Sequence, residues 1–284
     1  RQRQMCIRDS RLCGDDIISN RILSEWETYI MWNAEIYEKF GKERLQPSID
    51  LVSRLKDREF KRILDAGCGT GMSTAVLVSA FGNAAIMGAD LSEEMLAKAT
   101  KNITQAMFIR CDCSQPLFNL GKFDLIFSNA FIQWLPDQKE FMHNSFQMLN
   151  EGGVFAAQIP LFGEMPANTC ILKVEELFAE IMEEIEKRKF VLHTASEYYD
   201  MLTSFTDKTS VWITEYIHEM KDYGELLNFL KGAALRPYLE LLTDRKDREQ
   251  FLDAVLQNLR SVYPIGKNGK VLFPFRRLFL IGEK

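Results

Sequence analysis

An aspartate and three glycines stand together in Asp65-Ala66-Gly67-Cys68-Gly69-Thr70-Gly71, directly after the apolar pair Ile63-Leu64. Glycines alternating at this spacing let the backbone turn tightly and approach a ligand closely, a common device for cradling a nucleotide. Two further aspartates end later apolar runs: Asp90, nineteen residues after Gly71, and Asp112 within RCDCS. A dinucleotide loop needs Gly or Ala at the last position of G-x-G-x-x-G, so that a pyrophosphate can sit on the helix N-terminus. Met72 occupies that position, and Asp65 would bring negative charge to the phosphates. A phosphate-free cation suits the loop better. S-adenosylmethionine (SAM) has a sulfonium and an ammonium, and Asp65 is expected to face the ammonium. Asp90 is then placed to accept from both ribose hydroxyls, and Asp112 from the adenine amino group. Gly67, Cys68, Gly69, Thr70 and Gly71 supply the backbone of the cofactor site, with Leu91 and Cys113 beside the two later aspartates.

These residues need a scaffold that brings several strand ends together. RILDAG, AAIMGADL, MFIRCD, FDLIFSNA and GVFAAQIP are short apolar runs rich in Ile, Phe and Val, separated by helix-forming stretches. Buried parallel strands covered by helices on both faces read this way. Ser92 precedes Glu93 and Glu94, as expected at a helix start. SVWITEYIHEM and the terminal GKVLFPFRRLFLIGEK add two strand-like runs. The expected fold is α/β: a doubly wound, mostly parallel, seven-stranded Rossmann-like sheet. Helical cover segments are expected at about 163–205 and 222–262. The first contains Ile171, Val174, Phe178, Ile181 and Ile185 at helical spacing, and the second is interrupted at Arg236-Pro237.

The chain has 284 residues, a formal net charge of −5 and six cysteines with no CxxC spacing. A broad basic surface for nucleic acid is not expected, nor a membrane span, a zinc site or a disulfide framework. A reducing, cytoplasmic setting fits best. Residues 1–30 show no secretory pattern. They are expected to be foreign or upstream sequence, with Met31 the initiator and one domain over 31–284.

The residues DAGCGTG resemble the glycine loop of class I SAM-dependent methyltransferases. More narrowly, WNAEIYEKFGKERLQP, LDAGCGTGMST, FDLIFSNAFIQWLPD, LRPYLELLTD and YPIGKNGKVLFPFRRLFL resemble the trans-aconitate 2-methyltransferase family along almost the whole chain from Met31. The resemblance implies an O-methyltransferase that carries a methyl group from SAM to a carboxylate of a small polycarboxylic acid, giving a monomethyl ester. Asn129-Ala130-Phe131-Ile132 lacks the prolines of the N-P-P-Y clamp used on base amines. A carboxylate is already ionised at neutral pH and needs no general base, so no catalytic residue and no metal are expected.

An anionic substrate needs cations. Arg236, at the helix break, and Arg277, inside the last apolar strand, are the substrate-binding candidates, because arginine matches carboxylates bidentately. Arg276 should point to the opposite face. Tyr263 is a further hydrogen-bond candidate. Gln133 and Trp134 are expected to wall the site near the adenosine or the methyl group, and Asn129 to lie beside the cofactor. Tyr37 and Arg44 are expected to close over its methionine end. His143 and His218 read as structural, His193 as a loop residue able to meet substrate, and Phe131 as core. Cys68, Cys111 and Cys113 read as non-catalytic. Two rivals stand: a carboxyl methyltransferase for a carrier-bound malonyl group, and a SAM-binding protein without transfer activity. A monomer is the expected state.

Overall fold

Among the described residues, seven strands form one sheet in the order β3-β2-β1-β4-β5-β7-β6. In chain order they are β1 (Arg62–Ala66), β2 (Ala85–Asp90), β3 (Met107–Arg110), β4 (Phe123–Asn129), β5 (Leu149–Pro160), β6 (Thr209–Met220) and β7 (Val271–Glu283). The strands β1 to β5 pair in parallel, and β7 runs antiparallel to both β5 and β6. Strand order reverses between β1 and β4, and in such sheets the crevice at that point is where ligands bind. The computed structural model describes residues 41–175, 178 and 182–284. The segment 1–30, Met31 and Tyr37 lie outside the described residues, as does the side chain of Arg44.

Two helices, α1 (Gly41–Ser53) and α2 (Met72–Ala80), pack with one face of the sheet. Leu45, Ile49 and Val52 of α1 and Val76 and Leu77 of α2 bury themselves with Ile63, Leu125, Phe127, Ala156, Phe279 and Ile281. Each such side chain, fully buried, contributes about 1.5–3 kcal/mol. The helix α3 (Glu93–Asn102) starts as its sequence requires: Ser92 Oγ accepts from Met95 N, with Glu93 and Glu94 in the first turn. The opposite face is closed by α4 (Gln138–Met148), which brings Phe141, Met142 and Phe146 onto Phe155, Leu278 and Leu280.

The remaining α-helices among the described residues are α5 (Pro166–Glu175), α6 (Met182–Glu186) and α7 (Ala195–Thr203) between β5 and β6, and α8 (Tyr223–Lys231), α9 (Arg236–Leu241) and α10 (Arg245–Val262) between β6 and β7. A separate apolar cluster binds α5, α8 and α10 to the ends of β6 and β7. The expected cover stretch 163–205 is therefore not uniform. Its last helix, α7, leaves the cover and lays Tyr198 and Leu202 on the sheet beside Phe146 and Leu278, because these two apolar residues, four apart, face the strands.

The strand β7 joins the two bodies. Phe279 and Ile281 belong to the core under the sheet, while Phe273 and Phe275 belong to the cover. These four residues and Arg277 alternate along one face of the strand. Arg277 thus stands where the two apolar clusters meet.

Candidate active site

The loop between β1 and α2 forms the floor. Gly67, Gly69 and Gly71 have φ of 73°, 55° and 86°. At Gly67 a Cβ would lie 2.0 Å from the Phe131 ring, and at Gly71 one would lie 2.6 Å from Ile103 Cδ1. Left-handed backbone and close packing both demand glycine there. Gly67 N and Cys68 N donate to Ala89 O at 2.8 and 3.0 Å, which ties the loop to the end of β2. Thr70 is half-buried in the same turn.

Asp65 is fully buried behind the loop. Its Oδ2 accepts from Ser73 Oγ at 2.7 Å and Thr74 Oγ1 at 2.6 Å, pinning the first turn of α2. Asp65 is expected to face the cofactor; in the structure one of its two oxygens is committed to the helix, because Ser73 and Thr74 sit on the turn that packs against the strand. The other oxygen, Oδ1, is buried without a hydrogen-bond partner. Burial raises the Asp65 carboxyl to about 6, against the two hydroxyl bonds that lower it, and Asp90 adds a smaller upward push. At neutral pH this is an anion with one unused oxygen, suited to a cationic ligand and hostile to a phosphate.

Asp90 ends β2 and accepts from Gly69 N through Oδ2 and from Ser92 N through Oδ1, both at 2.9 Å. Each oxygen keeps a second acceptor site. Leu91 beside it is exposed. Asp112 follows β3, and its Oδ1 accepts from Ser114 N at 2.9 Å. Cys113 is buried, with Sγ 3.8 Å from Ala89 O. The bond with Cys111, then burial, pushes its thiol up; burial first does the same to Cys68.

The strand pairings set a polar row along the α1/α2 face of the sheet. Asp65 pairs with Phe127, Asn129 lies two residues further along β4 and pairs with Gln158, and Pro160 pairs with Arg277. Arg277 then pairs with Thr214, and His218 with Phe273. Asp65, Asn129, Gln158, Arg277 and His218 therefore share one face. Three strand spacings separate β1 from β7, about 14 Å in all. Gln158 is fully buried, Arg277 is 5% exposed and His218 is 6% exposed. Arg277 Nη1 donates to Gln158 Oε1 at 3.1 Å, and its guanidinium lies 4.4 Å from the Phe275 ring centre. Asn129 Oδ1, Gln158 Nε2 and His218 Nε2 are buried and have no hydrogen-bond partner. Sequence reasoning missed Gln158 and took His218 as structural. Their only signal was a polar residue at an inward position of an otherwise apolar strand.

Asn129 is followed by a strained turn. Ala130 has φ 53°, the left-handed region that costs a non-glycine residue about 1–2 kcal/mol. Ala130 N donates to Gln158 O at 2.9 Å, and Gln133 Nε2 donates to Ala130 O at 2.7 Å. Gln133 thus supports the turn, while its Oε1 is buried without a hydrogen-bond partner. Trp134 is 37% exposed and stands edge-on to Phe190 at 4.4 Å, so it faces the cover.

Several sequence candidates fall outside the row. Arg236 starts α9 with an exposed side chain, and its Nε donates to Glu240 Oε1 at 2.7 Å. It is a surface i,i+4 pair, because the helix break points it outward. Tyr263 is buried, and its hydroxyl accepts from Ala167 N at 3.1 Å; it caps α5 inside the cover core. His193 lies 3.8 Å from Glu197 and edge-on to Tyr198. Arg276 points to the other face as expected and pairs with Glu164 at 2.6 Å. A cavity of about 280 Å³ lies in the cover. Its lining residue Tyr238 is bonded to Glu175, and Lys189 lies 3.6 Å from the same carboxylate.

Among the described residues, no cluster of His, Cys, Asp or Glu could hold a metal, and no helix is long and apolar enough to cross a membrane. Residues 63–153 match a family model described as a methyltransferase domain. Among solved structures, the YcgJ protein from Bacillus subtilis shares the fold, with a TM-score of 0.58 at 14% identity, covering 84% of this chain and 98% of its own. The trans-aconitate 2-methyltransferase of Afipia carboxidovorans is 34% identical over 252 residues, covering 88% of this chain and 98% of the relative. That of Klebsiella pneumoniae is 34% identical over 258 residues, covering 89% and 98%. With relatives matched along almost their entire length and a class I methyltransferase sheet beneath the site, the chain belongs to the trans-aconitate 2-methyltransferase family.

Proposed function

We propose that the protein transfers a methyl group from SAM to one carboxylate of trans-aconitate, or of a small polycarboxylate closely like it, giving a monomethyl ester. One observation carries this reading: a single sheet face runs from a buried carboxylate, Asp65, to a buried guanidinium, Arg277, three strands across and four residues further along, roughly 20 Å apart between their backbones. The negative end suits a cationic donor. The positive end suits an anionic acceptor.

Asp65 Oδ1 would take the cofactor's ammonium, Asp90 its ribose and Asp112 its adenine, with Gly67 to Gly71 as the close-approach backbone. When bound, SAM supplies a methyl group on a sulfonium, open to displacement by an oxygen nucleophile. The chain's own part is binding and alignment. Arg277, steadied by Gln158 and by the Phe275 ring, holds a carboxylate that does not react. The reacting carboxylate is already ionised and needs no base. Burial and then the nearby Arg277 charge lower the His218 imidazole to about 4, which removes it as a general base near neutral pH. Catalysis comes from orientation and exclusion of water, and effective alignment supplies up to about 7–11 kcal/mol.

The test is a methyl-transfer assay with purified protein, SAM and a panel of di- and tricarboxylates. Formation of S-adenosylhomocysteine together with a trans-aconitate monomethyl ester is expected. Turnover confined to a malonyl-carrier substrate, or none on any acid, overturns the reading.

A further inference from the structure

Buried polar atoms are normally hydrogen-bonded, because stranding one costs about 1–3 kcal/mol. Two such atoms flank Arg277. Gln158, on β5, spends its Oε1 on the Arg277 guanidinium and leaves Nε2 without a partner. His218, on β6, is almost fully buried against Phe229, Phe273 and Phe275, and its Nε2 has no partner. Both side chains share the Arg277 face of the sheet, one on each neighbouring strand. The Phe275 ring contacts the guanidinium on one hand and the imidazole on the other. The three polar groups therefore follow one another along one face at the seam between the α/β body and the cover, Gln158 in register with Phe279 and His218 with Phe273, with the Phe275 ring between the guanidinium and the imidazole.

We propose that Gln158 and His218 are specificity-determining residues, whose Nε2 atoms donate hydrogen bonds to a non-reacting carboxylate of the substrate held at Arg277. The proposal rests on the reading of the protein as a polycarboxylate methyltransferase and identifies which residues read the extra carboxylate. An anion accepts readily from a neutral amide and a neutral imidazole, and two such donors beside a guanidinium fill carboxylate lone pairs that one fork leaves unmet. Their stranded state in the protein alone is then a feature of the binding pocket. An acid lacking that carboxylate leaves both donors unmet, which is the strongest route to discrimination.

The experiment compares trans-aconitate with mesaconate, in which a methyl group replaces the carboxymethyl arm. Wild-type protein is assayed first; if it methylates neither acid, the underlying reading fails and this proposal is overturned with it. With an active wild type, Gln158→Leu and His218→Phe are expected to lower kcat/KM for trans-aconitate tenfold or more through KM. Mesaconate should change less than threefold, and the SAM dissociation constant should not move. His218→Gln, which keeps a donor in place of Nε2, should restore most of the trans-aconitate preference. Parallel losses on both acids, or an unchanged ratio between them, overturn the proposal. If Gln158→Leu does not fold, His218→Phe against His218→Gln decides alone.

Discussion

Gln158 Oε1 accepts a hydrogen bond from Arg277 Nη1 at 3.1 Å, on the sheet face that also carries Asp65 and Asn129. A neutral amide orients the guanidinium without cancelling its charge. Arg277→Lys is expected to raise the KM for trans-aconitate about tenfold or more, since an ammonium cannot reproduce the planar fork and hydrogen bonds to charged groups contribute about 1.5–3 kcal/mol. SAM affinity, measured by calorimetry, should change less than twofold. Equal loss of both would make Arg277 a structural residue.

Asp65 is expected to link SAM binding to pH. Its folded value of about 6 lies above the ordinary 3.8, so the native state holds the proton more tightly than the unfolded chain. Native stability therefore declines as pH rises from about 4 to about 6, and the penalty persists above that. Cation binding needs the ionised form, so the SAM dissociation constant should rise as pH falls through 6, by about tenfold per unit below it. Asp65→Asn should flatten this profile and weaken binding at pH 8, while melting at or above the wild-type temperature there. A variant that melts lower and keeps the pH profile would contradict both parts.

Arg236 tests the other arginine. Its exposed pair with Glu240 is worth about 0.3–0.5 kcal/mol. Arg236→Ala should leave the trans-aconitate KM within twofold of wild type and shift the melting temperature little. A large rise in KM would return Arg236 to the site.

Tyr263 separates packing from binding. Its hydroxyl accepts from the backbone of Ala167 in the buried cover. Tyr263→Phe strands that N–H, at a cost of about 1–3 kcal/mol. Thermal unfolding should register the loss, while the KM for trans-aconitate stays within twofold.

The turn at Ala130 should be intolerant of branching. A β-branched side chain at φ 53° adds to a strain already on the order of 1–2 kcal/mol. Ala130→Val should destabilise by about 2 kcal/mol or more and lower kcat, because Asn129 and Phe131 lean on that turn. Ala130→Gly should stay within about 1 kcal/mol of wild type, strain relief offsetting lost chain stiffness. Denaturant titration distinguishes the two.

Local chemistry made much of this protein legible in advance. The run from Ile63 to Gly71 announces a strand, a left-handed glycine turn and a helix, because only glycine tolerates those angles and contacts. Ser92 announces its helix through a cap that needs nothing distant. Arg276 and Arg277 were assignable to opposite faces because side chains alternate along a strand.

The fate of the polar side chains depended on neighbours far away in sequence. Arg236 and Arg277 look equally good as isolated residues beside apolar runs; one ends on the surface with Glu240 and the other under the cover beside Gln158. Gln158 lies 119 residues from Arg277, and no local pattern relates them. Sequence alone determined the strands, the glycine loop and the sign of the ligand that the loop favours, since backbone angles and formal charge are properties of short segments. Only the tertiary structure decided which polar atoms stay buried and unmet, because burial is set by what packs on top.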